Sequence, residues 1–248
     1  MKALILAGGF GERLGSLTKK NPKPMILINK DPILKYQLLL LKKHEINEIG
    51  LALSYLPKKI MDYFGGGEKL GVKLKYAIES SPLGTSGALN NFKEFFKEPS
   101  FVFYGDNITN LNLTKMIKEY KKSKADGAIY LYHEKMGDKK TTPGLVLINK
   151  KGFVKEIIEN PTKDQQKKLN KIPKNFKFTN SGIYIINKKI LNLIPNGKSD
   201  FAKQIFPKAL EKKLKIYGYR EKCYIREVGQ IKRYLKAKKE IESGSVNI

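Results

Sequence analysis

A chain of 248 residues can bury a substantial α/β core without covalent staples, and its single cysteine, Cys223, excludes an internal disulfide framework and fits a reducing, cytoplasmic compartment. No apolar run has the length of a membrane span, and the first one, Ala3 to Ala7, is shorter than a signal-peptide core, so no membrane partner is expected. The formal charge of +26 invites a nucleic-acid reading, but only four of the 49 basic residues are arginine, at 13, 220, 226 and 233. The lysines are scattered through every segment, which describes a solvated coat that steers small polyanions rather than a phosphate-reading face; no nucleic-acid partner is expected.

Hydrophobic periodicity divides the first half into apolar runs and amphipathic segments, the pattern of a βαβ sheet. Strands are predicted at Ala3 to Leu6, Ile49 to Leu53, Leu74 to Ile78 and Phe101 to Tyr104. Helices are predicted at Ile33 to Lys43, Lys58 to Phe64, Gly84 to Phe92 and Leu113 to Lys122, as crossovers between parallel strands. After about Asp126 the β runs become closely spaced, at Ala128 to His133, Leu145 to Asn149, Phe153 to Glu159 and Phe178 to Ile186. Short helices follow at Lys188 to Leu193 and Phe201 to Leu210, then strands at Lys215 to Tyr219 and Tyr224 to Glu227 and a helix from Ile231 to Glu242. The polar stretch Asn160 to Lys177 reads as a surface insertion or mobile loop. The expected fold is α/β, a Rossmann-like, mixed but mainly parallel sheet flanked by helices, as one domain whose halves are residues 1–125 and 126–248.

Four stretches carry residue types suited to chemistry. Gly8, Gly9 and Gly11 follow the first strand, where glycine permits positive φ and close approach of backbone N–H groups to an anion, and Arg13 and Lys23 add charge-assisted donors. The spacing is neither a dinucleotide fingerprint nor a Walker A loop, so a tight turn dressed with surface lysines is an equal reading. Asp106, in FYGD, stands just past a buried strand, where open α/β sheets bind ligands; it is either a hard-oxygen ligand for Mg²⁺ or a turn aspartate. In ESSPLGTSGAL, Glu79 to Leu89, small residues can lie against a base or sugar, or Thr85 or Ser86 can simply cap a helix. Glu227, in YIREVG, says little by itself.

Together, LAGGFGERLGSLTKKNPKPM, ESSPLGTSGAL, FYGDN, NSGIYII, DFAKQIFPKAL and REVG run in one order over nearly the whole chain and resemble the sugar-1-phosphate nucleotidyltransferases. The wording is closest to mannose-1-phosphate guanylyltransferases. The resemblance implies Mg²⁺-dependent attack of a sugar 1-phosphate on the α-phosphorus of an NTP. It implies that Leu6, Ala7, Gly8 and Gly9 hold the nucleotide, Gly11 and Arg13 its phosphates, and Lys23 the reacting phosphates. Asp106 and Glu227 would hold the metal, Gly144, Glu159 and Asn180 line the sugar pocket, and Pro82, Gly84 and Thr85 flank base and sugar. Glu79 would face the base edge; a carboxylate only accepts hydrogen bonds and matches the adjacent N1–H and N2–H₂ donors of guanine, which favours GTP. The alternatives are a glucose-1-phosphate thymidylyl- or uridylyltransferase, or a catalytically weak nucleotide-sugar-binding regulatory homologue.

Two departures from the family pattern stand out. Asn160 replaces the lysine of a common Glu-Lys-Pro, with Lys163 as a candidate substitute, and Glu227 stands where an aspartate is usual. No C-terminal β-helix is expected, and a homo-oligomer is left open.

Overall fold

Short leucine- and isoleucine-rich runs can be buried on both faces only where crossover helices cover the sheet. The computed structural model describes residues 1–133 and 144–248 and builds that arrangement. In chain order the first half contains β1 (Ala3–Leu6), a hairpin of β2 (Leu27–Ile28) and β3 (Asp31–Pro32), α1 (Ile33–Lys43), β4 (Glu48–Leu53), α2 (Pro57–Phe64), β5 (Lys73–Ile78), α3 (Gly84–Gly87), β6 (Ser100–Tyr104), β7 (Asn107–Thr109) and α4 (Leu113–Ser123). The second half contains β8 (Gly127–Tyr132), β9 (Leu145–Ile148), β10 (Val154–Ile158), α5 (Lys163–Asn170), β11 (Lys177–Ile186), α6 (Lys188–Leu191), α7 (Phe206–Glu211), β12 (Ile216–Arg220), β13 (Ile225–Glu227) and α8 (Ile231–Glu242). No helix among the described residues is long and apolar enough to cross a membrane.

Among the described residues nine strands form one sheet. β1 lies between β4 and β6, both parallel to it, and β5 continues the parallel half beyond β4. β11 adds antiparallel to β6 and divides its own partners, pairing through Lys177, Phe178 and Thr179 with β9 and through its later residues with β8. The register breaks between Asn180 and Tyr184, where Gly182 has φ of 74°; a Cβ there would stand 2.6 Å from the Tyr104 ring, so only glycine fits.

The period-2 alternation of β1 sends Ala3 and Ile5 into one buried cluster and Leu4 into another, and in β6 Phe101 and Phe103 part from Val102 in the same way. A third cluster joins Leu14, Ile26, Ile28, Ile33, Ile108 and Val228 to Tyr234, Ala237 and Ile241 of α8. Through it the segment after β1 is anchored: Leu14 is fully buried, worth about 2 kcal/mol of transfer free energy.

The structure departs from the sequence reading in three places. Residues 84–92 are not one helix: α3 makes a single turn and a 3₁₀ segment, Ala88–Lys97, follows, with Phe92 at φ of −133°. The stretch read as a loop, Asn160 to Lys177, contains α5 and a 3₁₀ turn at Lys174–Phe176. Thr162 and Gln165 form a reciprocal capping box there, and Leu169 is buried; the T-x-x-Q signal was present but masked by lysines. The helix at 201–210 opens with a π turn, Phe201–Ile205, before α7.

Candidate active site

The glycines after β1 serve different ends. Gly11 has φ of 71°, and a Cβ on it would stand 2.8 Å from Thr18 Cγ2, so this position requires glycine. Beside Gly9 no atom lies within 4 Å of where a Cβ would be. A 3₁₀ segment, Glu12–Thr18, follows, tied by Thr18 Oγ1 donating to the carbonyls of Gly11 (3.1 Å) and Gly15 (3.2 Å). Tyr55 donates to the carbonyls of Thr18 and Lys19, and Lys59 donates to the Lys20 carbonyl and to Asn21 Oδ1. The glycine-rich segment is therefore braced by the turn after β4, while Phe10 and Arg13 stay exposed at its tip.

Asp106 arrives from the neighbouring strand. Gly105 N donates to the Leu6 carbonyl at 2.9 Å, and a Cβ on Gly105 would lie 2.7 Å from that same oxygen, so glycine lets the end of β6 run against the end of β1. Asp106 is buried, and its Oδ2 lies 2.5 Å from Lys23 Nζ. Breaking a shielded pair of this kind typically costs about 3–5 kcal/mol. Glu227 is brought alongside because β13 pairs antiparallel with β7, Glu227 opposite Asn107, and Val228 N donates to the Asp106 carbonyl at 2.9 Å. The two carboxylates converge on Gly229: the point where a Cβ would stand is 2.1 Å from Glu227 Oε1 and 3.2 Å from Asp106 Oδ2. Two hard oxygens around one glycine-lined space suit Mg²⁺, which is usually held by one or two carboxylates together with substrate phosphates. Arg13 stands 3.8 Å from Glu227 Oε1, and Arg233 donates to Oε2.

A cavity of about 310 Å³ opens beside Asp106, at the carboxyl ends of the parallel strands. Leu6, Ala7, Gly8 and Gly9 line it together with Lys23, Glu79, Pro82, Gly84, Thr85 and Asp106. An adjoining space is lined by Phe10, Gly11, Glu12, Arg13, Lys23 and Gly229. Glu79 is half-buried; Leu83 N donates to its Oε2 at 3.1 Å, and burial pushes its carboxyl pKa upward despite that bond.

Gly144, Glu159 and Asn180 meet one another away from that cavity. A Cβ on Gly144 would stand 1.9 Å from Glu159 Oε1, and Asn180 N donates to the Gly144 carbonyl at 3.1 Å. Burial, followed by the nearby Asp200 charge, raises the Glu159 pKa. Tyr104 connects this cluster to the cavity it lines: its pKa is raised by burial, Tyr184 donates to its hydroxyl at 3.2 Å, and the charges of Asp200 and Glu159 act on it.

Residues 2–244 match the family described as Nucleotidyl transferase. The chain belongs to this family. It is 28% identical over 257 residues to a Synechocystis UTP--glucose-1-phosphate uridylyltransferase, across 96% of this chain and 62% of that protein. It is 37% identical over 192 residues to a Campylobacter jejuni D-glycero-alpha-D-manno-heptose 1-phosphate guanylyltransferase, across 77% of this chain and 78% of that one. A crystal structure of HddC from Yersinia pseudotuberculosis complexed with GMP-PN superposes with a TM-score of 0.76 at 28% identity, covering 97% of this chain and 99% of that one. The chain also spans about six-tenths of the length of the mannose-1-phosphate guanylyltransferases it matches, among them one from Dictyostelium discoideum.

The expected site residues fall into two neighbouring groups, one on the cavities, with Glu227 beside Gly229, and one around Glu159. Neither Thr85 nor Ser86 caps α3: Thr85 donates to Asp200 Oδ2 at 2.9 Å and accepts from Phe201 N, while Ser86 donates to Ser199 Oγ at 2.7 Å. The glycines of this loop answer to that contact, since a Cβ on Gly84 would lie 2.4 Å from the Ser199 carbonyl and one on Gly87 2.2 Å from that of Gly197. Asn160 has φ of 51°, a left-handed conformation that asparagine tolerates better than lysine, which gives the first departure a backbone reason. Lys163 is exposed in the first turn of α5. Sequence reasoning missed Tyr104, Asp200, Gly229 and Arg233. Tyr104, Asp200 and Gly229 were within the quoted FYGDN, DFAKQIFPKAL and REVG motifs, whereas Arg233 lies in a lysine-rich helix outside them.

Proposed function

We propose that this nucleotidyl transferase makes a nucleotide sugar. An oxygen of a sugar 1-phosphate attacks the α-phosphorus of an NTP, a new phosphorus–oxygen bond forms, and the bond to the β-phosphate breaks to release pyrophosphate. The observation that carries this reading is the convergence of Asp106 Oδ2 and Glu227 Oε1 on one glycine-lined point with Lys23 and Arg13 beside it. Phosphoryl-type transfer between polyanions chiefly needs positioning and neutralisation of charge, and this arrangement offers both.

Asp106 and Glu227 would hold Mg²⁺, whose chemistry there is neutralisation of phosphate charge. Lys23 and Asp106 neutralise one another, and triphosphate oxygens compete with the carboxylate for the ammonium, so Lys23 would move from a protein partner to the reacting phosphates. Arg13, exposed at the loop tip, would reach the outer phosphates, with Gly9 and Gly11 letting the backbone approach. Pro82, Gly84 and Thr85 would flank base and ribose, and Gly144, Glu159 and Asn180 would take the sugar hydroxyls.

GTP is the favoured nucleotide, because Glu79 brings a carboxylate to the cavity and guanine offers it two adjacent donors. The guanylyltransferase relative and the GMP-PN complex of HddC support that choice, with mannose 1-phosphate or a related sugar as acceptor, in the cytoplasm. The second reading, uridylyl or thymidylyl transfer to glucose 1-phosphate, draws on the Synechocystis relative. The deciding experiment is pyrophosphate release with Mg²⁺ across a matrix of NTPs and sugar 1-phosphates. Turnover is expected to be highest with GTP. Absence of turnover with every pair, alongside measurable binding of nucleotide sugars, would leave a regulatory binding protein instead.

A further inference from the structure

The Glu227 carboxylate is gripped from two sides. Gly229 N donates to Oε1 at 3.0 Å, and Arg233 donates through Nη1 to Oε2. The side chains of Glu227 and Arg233 are only 24% and 20% exposed, so this pair is shielded in a way that surface pairs such as Lys58–Asp62, at 85% and 58%, are not. Arg233 also occupies the first turn of α8, where a cation faces the positive end of the helix macrodipole. Its own helix therefore disfavours a cation here, and partners outside the helix offset that cost.

A glutamate side chain has one more rotatable bond than an aspartate. Left free, that bond would let Oε1 swing away from Asp106, and Mg²⁺ tolerates little misplacement of its ligands. We infer that Arg233 is the positioning residue of the metal carboxylate, locking Glu227 so that Oε1 stays beside Gly229, where Asp106 Oδ2 also lies. Glu227 and Arg233 work as a matched pair. Aspartate at 227 would be withdrawn from Arg233 by about one carbon–carbon bond and performs worse in this chain. This rests on the metal reading given under Proposed function.

The test is Mn²⁺ binding to the full chain, read by electron paramagnetic resonance in separate titrations with GTP and UTP and with no sugar phosphate present. Thermal unfolding of each variant is measured alongside. Arg233→Ala is expected to weaken Mn²⁺ binding about tenfold or more, the scale of losing an outer support of a metal ligand. Arg233→Lys should recover part of the loss, Glu227→Asp should match Arg233→Ala, and the double variant should lose little more, because the two act as one unit. Arg233→Ala binding Mn²⁺ as tightly as the unaltered chain, or more tightly, overturns the inference. If Arg233→Ala does not fold, Glu227→Asp decides: equal or better binding with aspartate overturns it. Binding that Asp106→Asn abolishes and Arg233→Ala leaves untouched sinks this inference alone, whereas an unaltered chain that binds no Mn²⁺ with either nucleotide sinks the metal reading as well.

Discussion

On the wall formed by residues 8–25, Asp106 and Glu227, both Asp106 and Glu227 face cations: Lys23 on Asp106, and Arg233 with Arg13 on Glu227. On the wall formed by Gly144, Glu159 and Asn180, the carboxylate is half-buried, and burial and then the charge of another acid, Asp200, raise its pKa, with Lys203 acting the other way. The first arrangement suits a ligand that carries its own charge, because phosphates and a divalent ion can exchange partners with groups already matched in sign. The second suits neutral hydroxyls, which need an acceptor held in place rather than a strong field. Under the proposed function the two clusters would divide the work, and Tyr104, which lines the cavity, feels the charges of Glu159 and Asp200.

The harshest way to break this comparison is to remove the carboxylate at the charged wall. Asp106→Asn keeps the shape but leaves Lys23 without its counter-ion and the proposed metal site without the Asp106 charge. Pyrophosphate release is expected to fall by at least about a thousandfold. A rate within tenfold of the unaltered chain, at saturating Mg²⁺, would place the metal elsewhere. Arg13→Ala is expected to cost on the order of a hundredfold, the scale of losing one preorganised donor on developing charge. Arg13 is 64% exposed and 3.8 Å from Glu227, so its removal should leave thermal unfolding nearly unchanged; a large drop in stability would mean it props the loop instead.

Much of the parallel half of the fold was legible because β1, β4 and β6 are short apolar runs and α1 and α2 have clean helical periods; β1, α1 and α8 fall where periodicity puts them. Asp106 was legible by its place after β6, and Lys23 by the motif that carries it. The contact between residues 83–87 and 197–200 was not. It depends on Gly84 and Gly87 letting two backbones approach, and glycines in a loop read equally well as a ligand platform or a turn. Arg233 was hidden for another reason: it is one of only four arginines, but nothing in the sequence tells which of them meets a specific partner.

The finest distinction concerns Glu79, which lies between the two walls in character: a lone, half-buried carboxylate with a raised pKa, held by one backbone N–H. Glu79→Gln preserves an acceptor for Leu83 N but turns the other arm into a donor, which opposes the guanine edge. The preference for GTP over UTP is expected to erode by about tenfold, the value of one hydrogen bond to a charged group. The pH dependence separates base reading from a merely structural role. The fold disfavours the charged form, so Glu79's effect on stability is most favourable at low pH and worsens as pH rises through the raised pKa. Binding of guanine needs the carboxylate and runs the other way, weakening as pH falls into the range just above that of an ordinary glutamate. GTP affinity that declines over that range in the unaltered chain and stays flat in Glu79→Gln fits a base reader, whereas two superimposable profiles would assign Glu79 to the loop alone.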